Sequence, residues 1–220
     1  MKQLANRRVS ALYLVLVLTF CICLIVANLV EIKTIDLGPL TITAGVIIFP
    51  LSYIINDCVV EVYGLRLAKF MIWLGFASSL FVTLALQLSL ILPGSAEWTS
   101  QAAMQEIYGS VPRIVAASFL AFLCGSMVNA YTMERMKSSG DGVRKFSFRA
   151  IMSTVYGESV DSLIFFPVAF AGVLSWRMIV SLMVTQAVIK TMYEVLILPV
   201  TIMAVKRLRK MERIIEIENV

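Results

Sequence analysis

Histidine is absent from all 220 residues. That removes imidazole-based triads, HExxH metalloprotease sites and imidazole proton shuttles together. The chain also lacks a GxxxxGK[ST] loop, so a P-loop ATPase reaction is excluded within it. Cysteine is scarce: Cys21, Cys23, Cys58 and Cys124 all fall in apolar segments without CxxC spacing. They read as small reduced hydrophobes rather than as a disulfide frame or metal cage. Charge is short as well, at 15% of residues against about 25% in soluble domains. What fills the gap is hydrophobic sequence, 60% of the chain. This composition points to an all-α integral membrane protein.

A bilayer core takes about 20 apolar residues per helix. Six stretches qualify, near 9–30, 41–62, 67–92, 112–135, 150–173 and 178–205, and they are expected to form one transmembrane domain over 1–220. The first follows MKQLANRR and is too long for the apolar region of a signal peptide, so a retained span is expected. Pro112 suits a helix start, whereas Pro50, Pro167 and Pro199 are expected inside spans, where each would favour a kink.

Basic residues are sorted by side. Lys2, Arg7 and Arg8, then Arg66 and Lys69, then five between Arg135 and Arg149, then five between Lys206 and Arg213, make 15 of the 19. Lys33, Arg113 and Arg177 fall on the other side. The bias predicts both termini in the cytoplasm of a multi-pass inner (plasma) membrane protein, and an even number of spans requires the same. The net charge of +5 is thereby a matter of topology rather than of nucleic acid binding.

Six ionisable residues remain within the spans: Asp57, Glu61, Glu158, Asp161, Lys190 and Glu194. Each costs roughly 2.5–3.5 kcal/mol at a helix centre facing lipid. They are therefore expected to face one another or a wet cavity. Asp57 and Glu61 are spaced i,i+4, Glu158 and Asp161 i,i+3, Lys190 and Glu194 i,i+4, so each pair shares one helix face. Asn28, Asn56, Ser153, Ser162 and Gln186 are candidates to join them. Five carboxylates against one lysine cannot neutralise pairwise. The excess must be protonated, bound to a cation or reserved for a hydrogen-bonding ligand. A transporter follows most directly, with a divalent-cation carrier as a second reading and an intramembrane enzyme as a distant one, since no nucleophile or metal cage stands out.

The motifs FPLSYIINDCVVEVYG (Phe49–Gly64), VANLVEIK with Asn28, VPRIVAASFLAFLCGS with Arg113, Ser118 and Gly125, STVYGESVDSLIFF with Ser153, Gly157, Asp161 and Phe165, and Lys190 with Pro199 appear in that order. Together, over about residues 20–205, the chain resembles the queuosine precursor transporter family, the vitamin-uptake-transporter-like proteins of six spans. The resemblance implies import of 7-cyano-7-deazaguanine and 7-aminomethyl-7-deazaguanine for queuosine salvage into tRNA. It also implies a fold similar to the substrate-binding components of energy-coupling-factor transporters. A binding subunit served by a separate ATP-driven module is an alternative. The expected partners are a small purine-like molecule and membrane lipids, with no nucleic acid and no cofactor, and a homodimer is compatible with the chain.

The residues suit such a ligand. A guanine-like ring offers N1–H and an exocyclic NH₂ on one edge, which a carboxylate accepts as a pair. The 7-deaza ring lacks the N7 acceptor that arginine reads in guanine, leaving O6 for Lys190, Asn56 or Asn28. A cationic aminomethyl group favours a second carboxylate. Tyr53, Phe165 or Tyr156 would stack on the ring. The expected binding set is Asp57, Asp161 and Lys190, with Asn28, Asn56, Glu158, Glu61, Glu194, Tyr53 and Phe165. Asp57 is expected to line the cavity, with Pro50 opening the helix above it.

Overall fold

The computed structural model describes residues 10–38, 40–137 and 143–218. The basic N-terminal stretch and the centre of the loop before residue 143 lie outside the described residues, as do some side chains within helices, Tyr53 and Glu194 among them.

Helix α1 (Ala11–Val30) starts at Ser10, whose hydroxyl accepts from the Tyr13 N–H at 3.1 Å. This satisfies one of the free N–H groups that every helix start carries. Tyr13 then donates its hydroxyl to the Leu67 carbonyl at 3.0 Å, pinning the start of α1 to the start of the helix Leu65–Ile91. Between α1 and α2 the chain forms a hairpin, β1 (Thr34–Leu37) and β2 (Leu40–Thr43), with Thr34 opposite Thr43 and Leu37 opposite Leu40. The β-branched residues Thr34 and Ile35 on one strand and Thr41, Ile42 and Thr43 on the other favour extended backbone. A 3₁₀ turn (Ala44–Ile47) leads into α2 (Phe49–Tyr63).

Two expectations are corrected here. The second span does not run as helix from 41, because its first eight residues are hairpin, 3₁₀ turn and junction; the fold is helical with one two-stranded ribbon. Pro50 is not inside a helix but in the first turn of α2, where its missing N–H costs nothing. It opens no carbonyls mid-helix. Pro167 and Pro199 do lie within their helices.

α3 (Leu65–Ile91) follows α2 after a single residue, Gly64, at φ 86°. Only a residue without Cβ takes that left-handed backbone cheaply, which lets two helices meet without a loop. The connection after α3 holds a short helix, α4 (Gln101–Tyr108), tied back to α3 by Gln87 donating to the Tyr108 carbonyl and Gln101 to that of Leu90. α5 (Val111–Lys137), α6 (Val143–Phe170) and α7 (Trp176–Glu218) complete the described chain, α7 continuing well past residue 205. Six of these helices overlap the expected spans. Two helices, Ala11–Val30 and Leu65–Ile91, and the stretch Gln101–Asn129 are long and apolar enough to cross a membrane by that measure alone. α6 and α7 carry the charges already noted, and α2 is short.

The packing has two apolar centres. Tyr13, Val17, Phe20 and Leu24 of α1 meet Ile55 and Val59 of α2 and Met71 and Phe76 of α3. Ile114, Ala117 and Ala121 of α5 meet Phe165, Phe166 and Phe170 of α6 and Ile179 and Leu182 of α7. α5 and α6 approach closely at Gly125 and Gly157. A Cβ on Gly125 would come within 2.9 Å of the Gly157 carbonyl and 3.1 Å of the Asp161 Cβ. Such backbone proximity is how helices associate where lipid removes the usual hydrophobic drive. It also brings the backbone that carries Asp161 against α5. Outward faces display Leu14, Leu18, Phe81, Leu84 and Leu196. The four cysteines are free.

Candidate functional site

A cavity lies where the two apolar centres meet. Its walls are aromatic and aliphatic: Phe20 and Leu24 from α1, Phe49 from α2, Phe76 from α3, Phe165 and Phe166 from α6. Into these walls are set Glu31, Ser52, Asn56, Asp161, Gln186 and Lys190. An apolar chamber with a few convergent polar groups is the usual form of a small-molecule site.

Lys190 is its cationic centre. Its Nζ donates to Asp161 Oδ2 at 2.6 Å, lies 3.4 Å from Glu158 Oε2 and stands 5.5 Å from the centroid of the Phe49 ring. All three charged side chains are largely buried, at 12% exposure for Lys190, 15% for Glu158 and 17% for Asp161.

Glu31 was not among the residues expected from sequence. It sits directly after α1 and is 2% exposed. The Thr43 hydroxyl donates to its Oε1 at 2.5 Å, and Gln186 of α7 donates through Nε2 to the same Thr43 oxygen. Glu31 Oε2 is buried without a hydrogen-bond partner among the described residues, as are Asn56 Oδ1 and both amide atoms of Asn28. A buried polar atom left unpaired costs about 1–3 kcal/mol. Glu31 and Asn56 line the cavity, and Asn28 is buried one turn before Glu31. The signal for Glu31 was present in VANLVEIK: it follows Asn28 by three residues, on the same helical face. It was hidden because it falls where an apolar run ends and a connection begins.

The remaining expected residues separate by helix face. On α2, Phe49, Ser52 and Asn56 face the cavity, a 3- and 4-residue progression. Pro50, Ile54 and Asp57 follow the same progression on the neighbouring face. They line a second, smaller depression at the seam with α7, together with Glu158, Tyr193 and Lys190. Asp57 is thus absent from the lining of the main cavity, and Lys190 and Phe49 border both spaces. Glu61, one turn further along that face, pairs with Arg209 of α7, which also donates to the Glu61 carbonyl. The i,i+4 pair that stood out in sequence therefore faces the α2–α7 seam. Phe165 is buried in the cavity wall, whereas Tyr156 points outward at 51% exposure. Asn28 is buried near the end of α1. Ser162 and Ser153 are buried on α6, and Arg113 donates to the Val168 carbonyl.

The family model described as "Putative vitamin uptake transporter" matches residues 43–204. A "Probable queuosine precursor transporter" of Bacillus subtilis (strain 168) is 29% identical over 187 residues, covering 85% of this chain and 82% of that protein. The "Queuosine precursor transporter" of Escherichia coli (strain K12) is 29% identical over 135 residues, 61% of this chain and 56% of that protein. No solved structure matches.

Proposed function

This chain belongs to the family described as "Putative vitamin uptake transporter", and from that premise we propose that it imports queuosine precursors, 7-cyano-7-deazaguanine and 7-aminomethyl-7-deazaguanine, across the inner membrane. The names of the two relatives support the substrate class. Helices α1, α2, α3, α5, α6 and α7 are the six spans, with both termini cytoplasmic, as the distribution of basic residues favours.

The observation that carries this reading is the cavity between the two apolar centres, where an ion pair and unpartnered buried acceptors stand among phenylalanines. A planar bicyclic base needs that combination. Its faces pack on Phe165 and its neighbours, a contact worth about 1–3 kcal/mol per base on aromatic platforms. Its O6 accepts from Lys190. A cationic aminomethyl group is drawn to Asp161 or Glu158. Because Lys190 borders both spaces, it forms the partition between the cavity and the α2–α7 seam. Asp57, across the seam, serves as its alternative counter-charge when a ligand engages Asp161. Movement of one ammonium between carboxylates on α6 and α2 couples ligand occupancy to the packing of α7. Transport is secondary or facilitated, and no ATPase element is required within the chain.

Thermal stabilisation of the detergent-purified protein tests the substrate class. Either deazaguanine at 100 times its dissociation constant should add about 2.7 kcal/mol. Guanine should add less and divalent cations nothing. Stabilisation by metal ions alone would overturn the assignment, and copurification of an ATPase module would recast the chain as a binding subunit.

A further inference from the structure

We infer that Glu31 is the residue that reads the donor edge of the transported base, its N1–H and 2-amino group, and that Gly45 is the residue that leaves room for the carboxylate to do so. This rests on the substrate class proposed above and assigns the determinant of specificity within it.

Glu31 is oriented from one side and lacks a hydrogen-bond partner on the other. Oε1 is fixed by the Thr43 hydroxyl, and Thr43 is itself held by Gln186. The relay runs from α7 through the hairpin to the carboxylate, so the plane of the group is set by three separate elements. Oε2 is buried, has no hydrogen-bond partner among the described residues, and belongs to a side chain in the cavity lining. The carboxylate lies directly over Gly45. A Cβ there would stand 1.6 Å from Oε2 and 2.9 Å from the Glu31 carboxyl carbon, with the Ala27 carbonyl at 3.2 Å closing the other side. No other residue type fits at 45 without evicting the carboxylate.

A carboxylate held in this way has two adjacent acceptors, one still with a lone pair to spare and one wholly free. The matching ligand group is two parallel N–H donors about one carboxylate-width apart, the geometry that makes arginine–carboxylate forks strong. The 2-amino-4-oxo pyrimidine edge supplies that pair. A 4-oxo edge without the amino group supplies one donor, and an adenine-type edge presents an acceptor at N1, which a carboxylate repels. A site built to bind a polar group disfavours an analogue lacking it, because its own buried atom is then left unpaired.

The test measures binding of 7-cyano-7-deazaguanine and its 2-deamino counterpart, 7-cyano-7-deazahypoxanthine, to the full-length protein in detergent, for the native chain, Glu31→Gln and Gly45→Ala. Glutamine keeps an oxygen for the Thr43 hydroxyl and replaces Oε2 by a donor. The native protein should prefer the 2-amino compound by roughly 10- to 100-fold, the range for hydrogen bonds to a charged group. Glu31→Gln should abolish that preference, because the 2-amino compound, which offers both donors, loses far more affinity than the 2-deamino compound. Gly45→Ala should do the same by displacement, a loss of discrimination that a purely structural role would not produce. Equal binding of both compounds by the native chain, or full preference retained in folded Glu31→Gln, overturns the inference and leaves the transporter reading intact. Binding of neither compound by the native chain overturns the substrate class itself, and the inference with it.

Discussion

Among the described residues, ion pairs tie α7 to its neighbours at two places, and the two differ in almost everything except chemistry. Lys190 meets Asp161 of α6 in the cavity at 12% and 17% exposure, with the Phe49 ring close by. Arg209 meets Glu61 of α2 near the far end of α7 at 54% and 58% exposure. A pair at an exposed position is screened by solvent and typically contributes about 0–1 kcal/mol. A buried pair contributes little net, yet removing one partner strands the other charge at a cost of about 3–5 kcal/mol. The first pair is therefore a buried constraint beside the cavity, and the second is an exposed contact between α2 and α7. Both were visible in the sequence as charges in or near spans. Only the fold shows that they face different surroundings.

The largest effect should come from breaking the buried pair. Lys190→Met leaves Asp161 and Glu158 side by side without their ammonium. We expect a loss of about 3–5 kcal/mol in stability, read as a lowered thermal midpoint in detergent, together with loss of uptake. Adding Asp161→Asn should restore most of the stability but none of the uptake, which separates folding from function. If Lys190→Met were as stable as the native chain, the contrast between the two pairs would collapse.

An intermediate effect is expected from Thr43→Val, which keeps shape but removes the hydroxyl linking Glu31 to Gln186. Two buried polar groups then lose a partner, at about 1–3 kcal/mol. Affinity for a deazaguanine should fall with it, because the orientation of Glu31 is no longer fixed. Asp57→Asn, at the seam, should act differently: uptake slows while equilibrium affinity is kept, since Asp57 does not line the main cavity. Loss of affinity in Asp57→Asn would place the ligand on the seam side of Lys190 instead.

Legibility in the sequence followed the physics of each signal. Long apolar runs read directly as helices, because membrane hydropathy is summed over some twenty residues and tolerates local error. Asp161, Lys190 and Phe165 were legible for a related reason: a charge or ring deep in an apolar run has few places to go. Glu31 was not, since a carboxylate at the end of a run looks solvated unless the next segment folds back over it. Here the hairpin does so, and nothing in a one-dimensional hydropathy pattern reports that return. Asp57 and Glu61 illustrate the converse. Their i,i+4 spacing correctly implies a shared face, but spacing cannot say which neighbour that face meets. Ser52 and Asn56, less conspicuous in sequence, occupy the cavity side of the same helix. Pro50 was misread because a proline within an apolar run resembles an interior kink until the true start of the helix, at Phe49, is known.

The smallest effect should be at the exposed pair, and it is the sharpest check on the comparison. Glu61→Gln removes the charge but retains length and an oxygen able to accept from Arg209, whose second bond, to the Glu61 carbonyl, is untouched by the substitution. The change in stability should stay below about 1 kcal/mol and shrink further as salt is raised, since exposed charges are screened over a Debye length of about 8–10 Å. Uptake and affinity should be those of the native chain. A stability loss comparable to that of Lys190→Met would mean that the end of α7 is shielded from solvent in the membrane, by headgroups or a second chain. Glu61 and Lys190 would then belong to one dielectric environment, and exposure in the isolated chain would no longer distinguish a docking contact from a transport gate.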